Sequence, residues 1–74
     1  MSNLSQSEKI ILSLVKKSEN ELLMFLSTQN GIRAYNNDTP IIEGEFKRLL
    51  HEDYLFHDEG DIYGITHKGL KELE

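Results

Sequence analysis

Apolar positions fall into separate groups with different spacings. Ile10, Ile11, Leu14 and Val15 recur at helical intervals. They follow Ser5-Gln6-Ser7-Glu8, where a serine three residues ahead of a glutamate can form a capping box. This predicts a first helix from about Gln6 to Lys17, with Lys16 and Lys17 suited to the negative end of its dipole. A similar signal, Ser18-Glu19-Asn20-Glu21, opens the run Leu22 to Leu26, and Asn30-Gly31 offers a left-handed stop. A second helix over about Glu19 to Gln29 is expected; one continuous helix from Gln6 to Gln29 is the other reading. Residues 31–38 read as a loop, with Ile32 and Tyr35 tucked against the core. Thr39 as cap and Pro40 at the first position start a third helix, to about Asp53. Ile42, Phe46, Leu49 and Leu50 form its apolar face. The period then changes to that of strands. Tyr54 to His57 and Ile62 to Ile65 flank the turn Asp58-Glu59-Gly60-Asp61. Thr66 caps a closing helix, His67 to Leu73, with Leu70 and Leu73 facing inward. The predicted order is α-α-α-β-β-α, a small α+β fold.

At 74 residues the chain suits one domain. Its 38% hydrophobic and 28% charged residues are those of a globular chain. Without cysteine it has neither disulfides nor cysteine metal sites. No apolar run approaches the roughly 20 residues of a membrane helix. The N-terminus lacks the basic and apolar regions of a signal peptide. A cytoplasmic protein is expected, with no membrane partner. The net charge of -5 disfavours tight nonspecific binding to nucleic acid. Residues 1–30 balance their charges; the acidity lies in the second half.

The segment Phe46-Lys47-Arg48-Leu49-Leu50-His51-Glu52-Asp53-Tyr54-Leu55 resembles the third helix of a winged helix-turn-helix domain entering its wing. Ile62-Tyr63-Gly64-Ile65-Thr66-His67-Lys68-Gly69-Leu70 resembles the Tyr-x-Leu-Thr-x-x-Gly segment ending the wing in MarR-like and PadR-like bacterial regulators. The resemblance covers about residues 40–74 and implies a winged-helix-like domain. It implies that Thr66 caps the last helix and that Gly69 lets this helix pack closely on the hairpin. The chain differs from the family in two ways. About ten residues, Asn30 to Thr39, stand where a helix-turn-helix uses three or four. The wing tip is acidic, where DNA-binding wings carry Arg or Lys.

On the third helix, Gly44, Arg48 and His51 lie opposite Phe46, with Lys47 at the edge. Arg48 can fork onto a guanine edge or a phosphate, Lys47 can neutralise a phosphate, and His51 can donate to either. Gly44 leaves room for a ligand backbone. Glu45 and Glu52 beside this stripe equally suit a solvated face. His51, His57 and His67 lack metal-ligand spacing, and the acidic turn lacks the calcium-loop pattern. No nucleophile elbow or phosphate loop is present, so neither enzyme activity nor a cofactor is expected.

Two functions follow. In the first, a small DNA-binding regulator reads duplex DNA through Gly44, Lys47, Arg48 and His51. Lys9, Lys16, Lys17 or Arg33 then hold phosphates. In the second, a winged-helix interaction module binds a protein partner, with the acidic turn as one contact. The size suits a bacterial phage or mobile-element accessory factor. A helix over Leu22 to Leu26 is apolar all round, which demands cover on every side. A homodimer is therefore expected, with Leu12, Met24 and Phe25 as contacts.

Overall fold

The computed structural model describes residues 4–35 and 37–74; for 37–39 only the backbone is described, and Asn36 of the expected loop lies outside the described residues. The chain runs α1 (Gln6–Lys16), β1 (Leu22–Thr28), β2 (Gly31–Ala34), β3 (Asn37–Ile41), α2 (Glu43–His51), β4 (Leu55–Glu59), β5 (Ile62–Ile65) and α3 (His67–Glu72). The five strands form one antiparallel sheet in the order β3-β2-β1-β5-β4. This is a mixed α/β domain. Its order is α-β-β-β-α-β-β-α, not α-α-α-β-β-α.

The first helix forms as its cap dictates. Ser5 Oγ accepts from Glu8 N at 3.2 Å, and Glu8 Oε1 accepts from Ser5 N at 2.9 Å. The expected second helix is instead β1. Asn20 and Glu21 both take φ of +58°, which no α-helix tolerates. The five-residue apolar run belongs to the central strand of the sheet, flanked by β2 and β5. Leu23 and Phe25 face the core while Leu22, Met24 and Leu26 face the other side, so the alternation is hidden in a continuous apolar run. Asn30-Gly31 ends a strand rather than a helix. With Thr28 opposite Gly31 (φ +114°), Gln29 and Asn30 form the turn of a hairpin. Helix Gln6 to Gln29 is excluded for the same reasons.

The third expected helix starts three residues late. Pro40 lies in β3, opposite Arg33. An edge strand accepts proline because one side of its backbone has no partner to lose. The cap of α2 is Ile42, without a side-chain hydrogen bond, and Ile42 is 60% exposed rather than on the apolar face. A helix-turn-helix is thus not formed here, since a strand precedes α2. From α2 onward the order is as expected: helix, hairpin, helix. Thr66 Oγ1 accepts from Gly69 N at 3.0 Å and caps α3.

The register assigns the two faces of the sheet. Leu23, Phe25, Ala34, Ile41, Leu55 and Ile65 point to the face that the three helices cover, and join Ile11, Leu12 and Val15 of α1 and Phe46 and Leu49 of α2. Leu12 (0% exposed) and Phe25 (3%) are therefore core residues and not dimer contacts. Met24 is half-buried on the opposite face, away from both. Ile32 packs on the core as expected; Tyr35 does not, and stands 63% exposed. Among the described residues no helix is long and apolar enough to cross a membrane.

Candidate functional site

The exposed side of α2 carries three of the four residues expected to read DNA. Gly44 and His51 are exposed, and an added Cβ at Gly44 meets no atom within 4 Å. Lys47 is exposed too, with its Nζ 3.1 Å from Glu43 Oε1 one turn back. Arg48 faces elsewhere. Its Nη1 donates to both carboxylate oxygens of Glu8, at 2.9 and 3.0 Å, and its Nε lies 3.6 Å from Glu52.

Glu8 is 2% exposed. Its carboxylate accepts three contacts from two donor atoms: one from the Ser5 amide and two from Arg48 Nη1. The nearby Glu8 charge raises the Arg48 guanidinium above its ordinary pKa, with Glu52 adding to the effect. Glu45 extends the junction. Its Oε2 accepts from Ser7 Oγ at 2.6 Å and from Ser5 Oγ at 3.3 Å. Arg48 and Glu45 therefore clamp α2 to the start of α1. The sequence marks Glu8 only as a cap; its reach to a residue 40 positions away has no local signal.

Truncating Arg48 leaves the buried Glu8 carboxylate without its cation, which destabilises a fold far more than losing an exposed charge. Arg48→Ala should lower the melting temperature clearly, and Arg48→Lys by less, in thermal circular dichroism. An unchanged melting curve would place Arg48 outside the fold's framework.

The four cations expected to hold phosphates do not converge on α2. Arg33 lies opposite Leu26, on the sheet face away from the helices. Lys16 and Lys17 are exposed at the far end of α1, and Lys9 is half-buried on it. The histidines are separate in role. His57 Nε2 is 2.5 Å from Gly60 O, closing the acidic turn, while His67 opens α3. Among the described residues no three His, Asp or Glu side chains group as a metal site would require.

A different site does form on the helix side of the sheet. The rings of Phe25, Phe46 and Tyr63 meet with centroids 4.8, 4.9 and 5.9 Å apart. The Phe46–Tyr63 and Phe25–Tyr63 pairs are edge-to-face, at 82° and 75°, the arrangement that aromatic quadrupoles favour. These rings, with Ile32 and Leu50, line a cleft of about 230 Å³. Ser27, Glu43, Lys47 and Asp61 form its rim. The hairpin turn reaches the cleft through its backbone: Phe25 N donates to Asp61 O at 2.9 Å. Asp58, Glu59 and Asp61 of the turn are exposed, and of these Asp61 lines the cleft. Lys47 is already paired with Glu43, so the rim as a whole is acidic.

Nothing in the local sequence marks this cleft. Phe25 and Tyr63 approach only because Leu23 pairs with Tyr63 across β1 and β5, a pairing that a helix over 19–29 forbids. Comparison with protein-family models, with characterised proteins and with solved structures yields no match for this chain.

Proposed function

We propose that this chain is a protein-interaction module whose cleft receives an apolar side chain flanked by a basic residue of a partner protein. The cleft at the root of the acidic turn carries this reading. Its aromatic and aliphatic floor suits an apolar anchor, and its rim offers carboxylates to a cation. Small clefts with an apolar floor and a few polar groups are where such anchors bind. Three features favour this reading over duplex DNA. Arg48 is engaged by Glu8, Lys47 is paired with Glu43, and the chain is acidic overall.

The test is a backbone-amide NMR titration with two capped tetrapeptides, Lys-Leu-Trp-Arg and its charge-reversed form Glu-Leu-Trp-Glu. The basic peptide is expected to shift Phe25, Phe46, Asp61 and Tyr63, more weakly as salt rises. Asp61→Lys should reduce its affinity several-fold, since an exposed pair of charges contributes up to about 1 kcal/mol and reversal adds repulsion. Equal response to both peptides, or none, would reject the module. So would low-salt binding to duplex DNA with a salt slope that falls by about one unit in Lys47→Ala.

A further inference from the structure

A smaller hollow lies on the other side of α2, between its first turn, the start of α1 and the end of β3. It measures about 110 Å³ and shares no lining residue with the cleft. Ile11 and Ile41, both buried in the core, form its back. Ile10 and Ile42, 42% and 60% exposed, stand at its mouth with Pro40. Its polar side chains are those of Ser7 and Glu45.

Glu45 is incompletely satisfied. Its Oε2 accepts from the Ser7 and Ser5 hydroxyls. Its Oε1 is buried and, among the described residues, accepts no hydrogen bond. Nor does a cation pair with it: the ion pairs of the described residues join Lys47 to Glu43, and Arg48 to Glu8 and Glu52. A buried carboxylate oxygen without a donor is costly, and folded proteins rarely leave one in that state. Glu45 also lies in the first turn of α2, where the helix dipole favours a negative charge. The hollow thus holds an anion without a counter-charge among apolar walls.

We infer that this hollow takes a lysine side chain of a partner protein, its ammonium on Glu45 and its methylenes between Ile10, Ile42 and Pro40. The chemistry of the site selects that occupant. One carboxylate oxygen is free and the other is taken, so the parallel pair of bonds that an arginine fork makes has no match here. An ammonium is a point charge with three donors and suits a single free oxygen. Ser7 supplies a second acceptor, because its own hydrogen goes to Glu45 Oε2 and its lone pairs stay open. The terminal carboxylate torsion is broad and soft, so a small turn brings Oε1 to the incoming ammonium.

The walls agree with the charge. A lysine buries its stem along apolar surface while its head stays charged, and the exposed isoleucines provide that surface. Water suits the hollow less well. The volume exceeds the roughly 30 Å³ share of one water, and a bound water needs two to four polar partners where most of these side chains are apolar. The inference does not depend on the cleft, whose residues lie across α2.

Backbone-amide NMR with Nα-acetyl-lysine methylamide as the probe tests this. The probe is expected to shift Ile10, Ile42 and Glu45 at millimolar concentration, and less as salt rises. n-Butanol, an alkyl chain of the same length without the charge, should shift them far less. Glu45→Gln keeps the shape and removes the charge. It should weaken binding about five-fold, the worth of one partly exposed ion pair, with circular dichroism checking that the variant folds. Ile42→Ser, at an exposed position outside the core, leaves Glu45 in place and should weaken binding several-fold. No shift at high millimolar concentration, an equal response to n-butanol, or full binding by Glu45→Gln would overturn the inference. So would binding of n-butylammonium where the lysine probe does not bind, which would assign the site to a free amine. Asp61→Lys, at the cleft, should leave this binding unchanged, so the two proposals fail separately.

Discussion

Leu12→Ala should remove most of the stability of this domain. Leu12 is 0% exposed and belongs to the core that α1 shares with the sheet and α2. Truncating a buried leucine costs about 2–5 kcal/mol, from lost transfer energy and the cavity left behind. A domain of this length buries little apolar surface, and its total stability is about 5 kcal/mol or less. Urea denaturation should show a midpoint near zero denaturant, or a chain already partly unfolded. The loss should appear even at concentrations where only monomer is present. A dimer contact at Leu12 predicts the opposite: a stable monomer with weakened association. Leu26→Lys, at a side chain 37% exposed, should by contrast leave the urea midpoint nearly unchanged.

The parts of the fold legible in the sequence are those set by local chemistry. The capping box at Ser5 and Glu8, the Thr66 cap and the acidic turn each act within a few residues. Helix α1 and the β4–β5 hairpin accordingly lie close to their expected bounds. The middle of the chain fails for a physical reason. Leu22 to Leu26 is apolar at every position, so it has no period from which helix and strand can be told apart. What settles it is tertiary: β1 is central, with β2 on one side and β5 on the other. Two local signals were also ambiguous. Asn-Gly caps helices and turns hairpins, and proline opens helices and tolerates edge strands.

The site was less legible than the fold. Arg48 stood out as a long cation on the solvent side of its helix. Its actual partner comes from α1, and no spacing within 42–53 announces it. The aromatic cleft draws on β1, β5 and α2 at once. With β1 misread as a helix, Phe25 became a surface contact, and the three rings could not be brought together. Leu12 has a separate cause: α1 turns Ile11, Leu12 and Val15 to the core and leaves Ile10 42% exposed, so its buried stripe is rotated from the expected one.

A pair of glycine substitutions should give effects of opposite sign. Gly44 and Gly69 both lie within helices, where alanine is favoured over glycine by about 1 kcal/mol. At Gly44 nothing lies within 4 Å of the added methyl, so Gly44→Ala should gain roughly 0.5–1 kcal/mol. At Gly69 the methyl would press into the Tyr54 carbonyl oxygen and lie 2.8 Å from Ile65 Cγ1. That carbonyl is held in place, accepting from Thr66 N at 3.1 Å and Thr66 Oγ1 at 3.0 Å. Since backbone is the obstacle, no rotamer change relieves it, and α3 must lift from β5. Lifting it exposes Leu70 and Leu73, which pack on the core. Overpacking costs about 1–3 kcal/mol, and this contact belongs at the top of that range, well beyond the gain in helix propensity. Gly69→Ala should therefore lower the melting temperature by on the order of 10 °C, and Gly69→Val by more. If Gly69→Ala melts like the unaltered chain, α3 does not pack on the Tyr54 backbone.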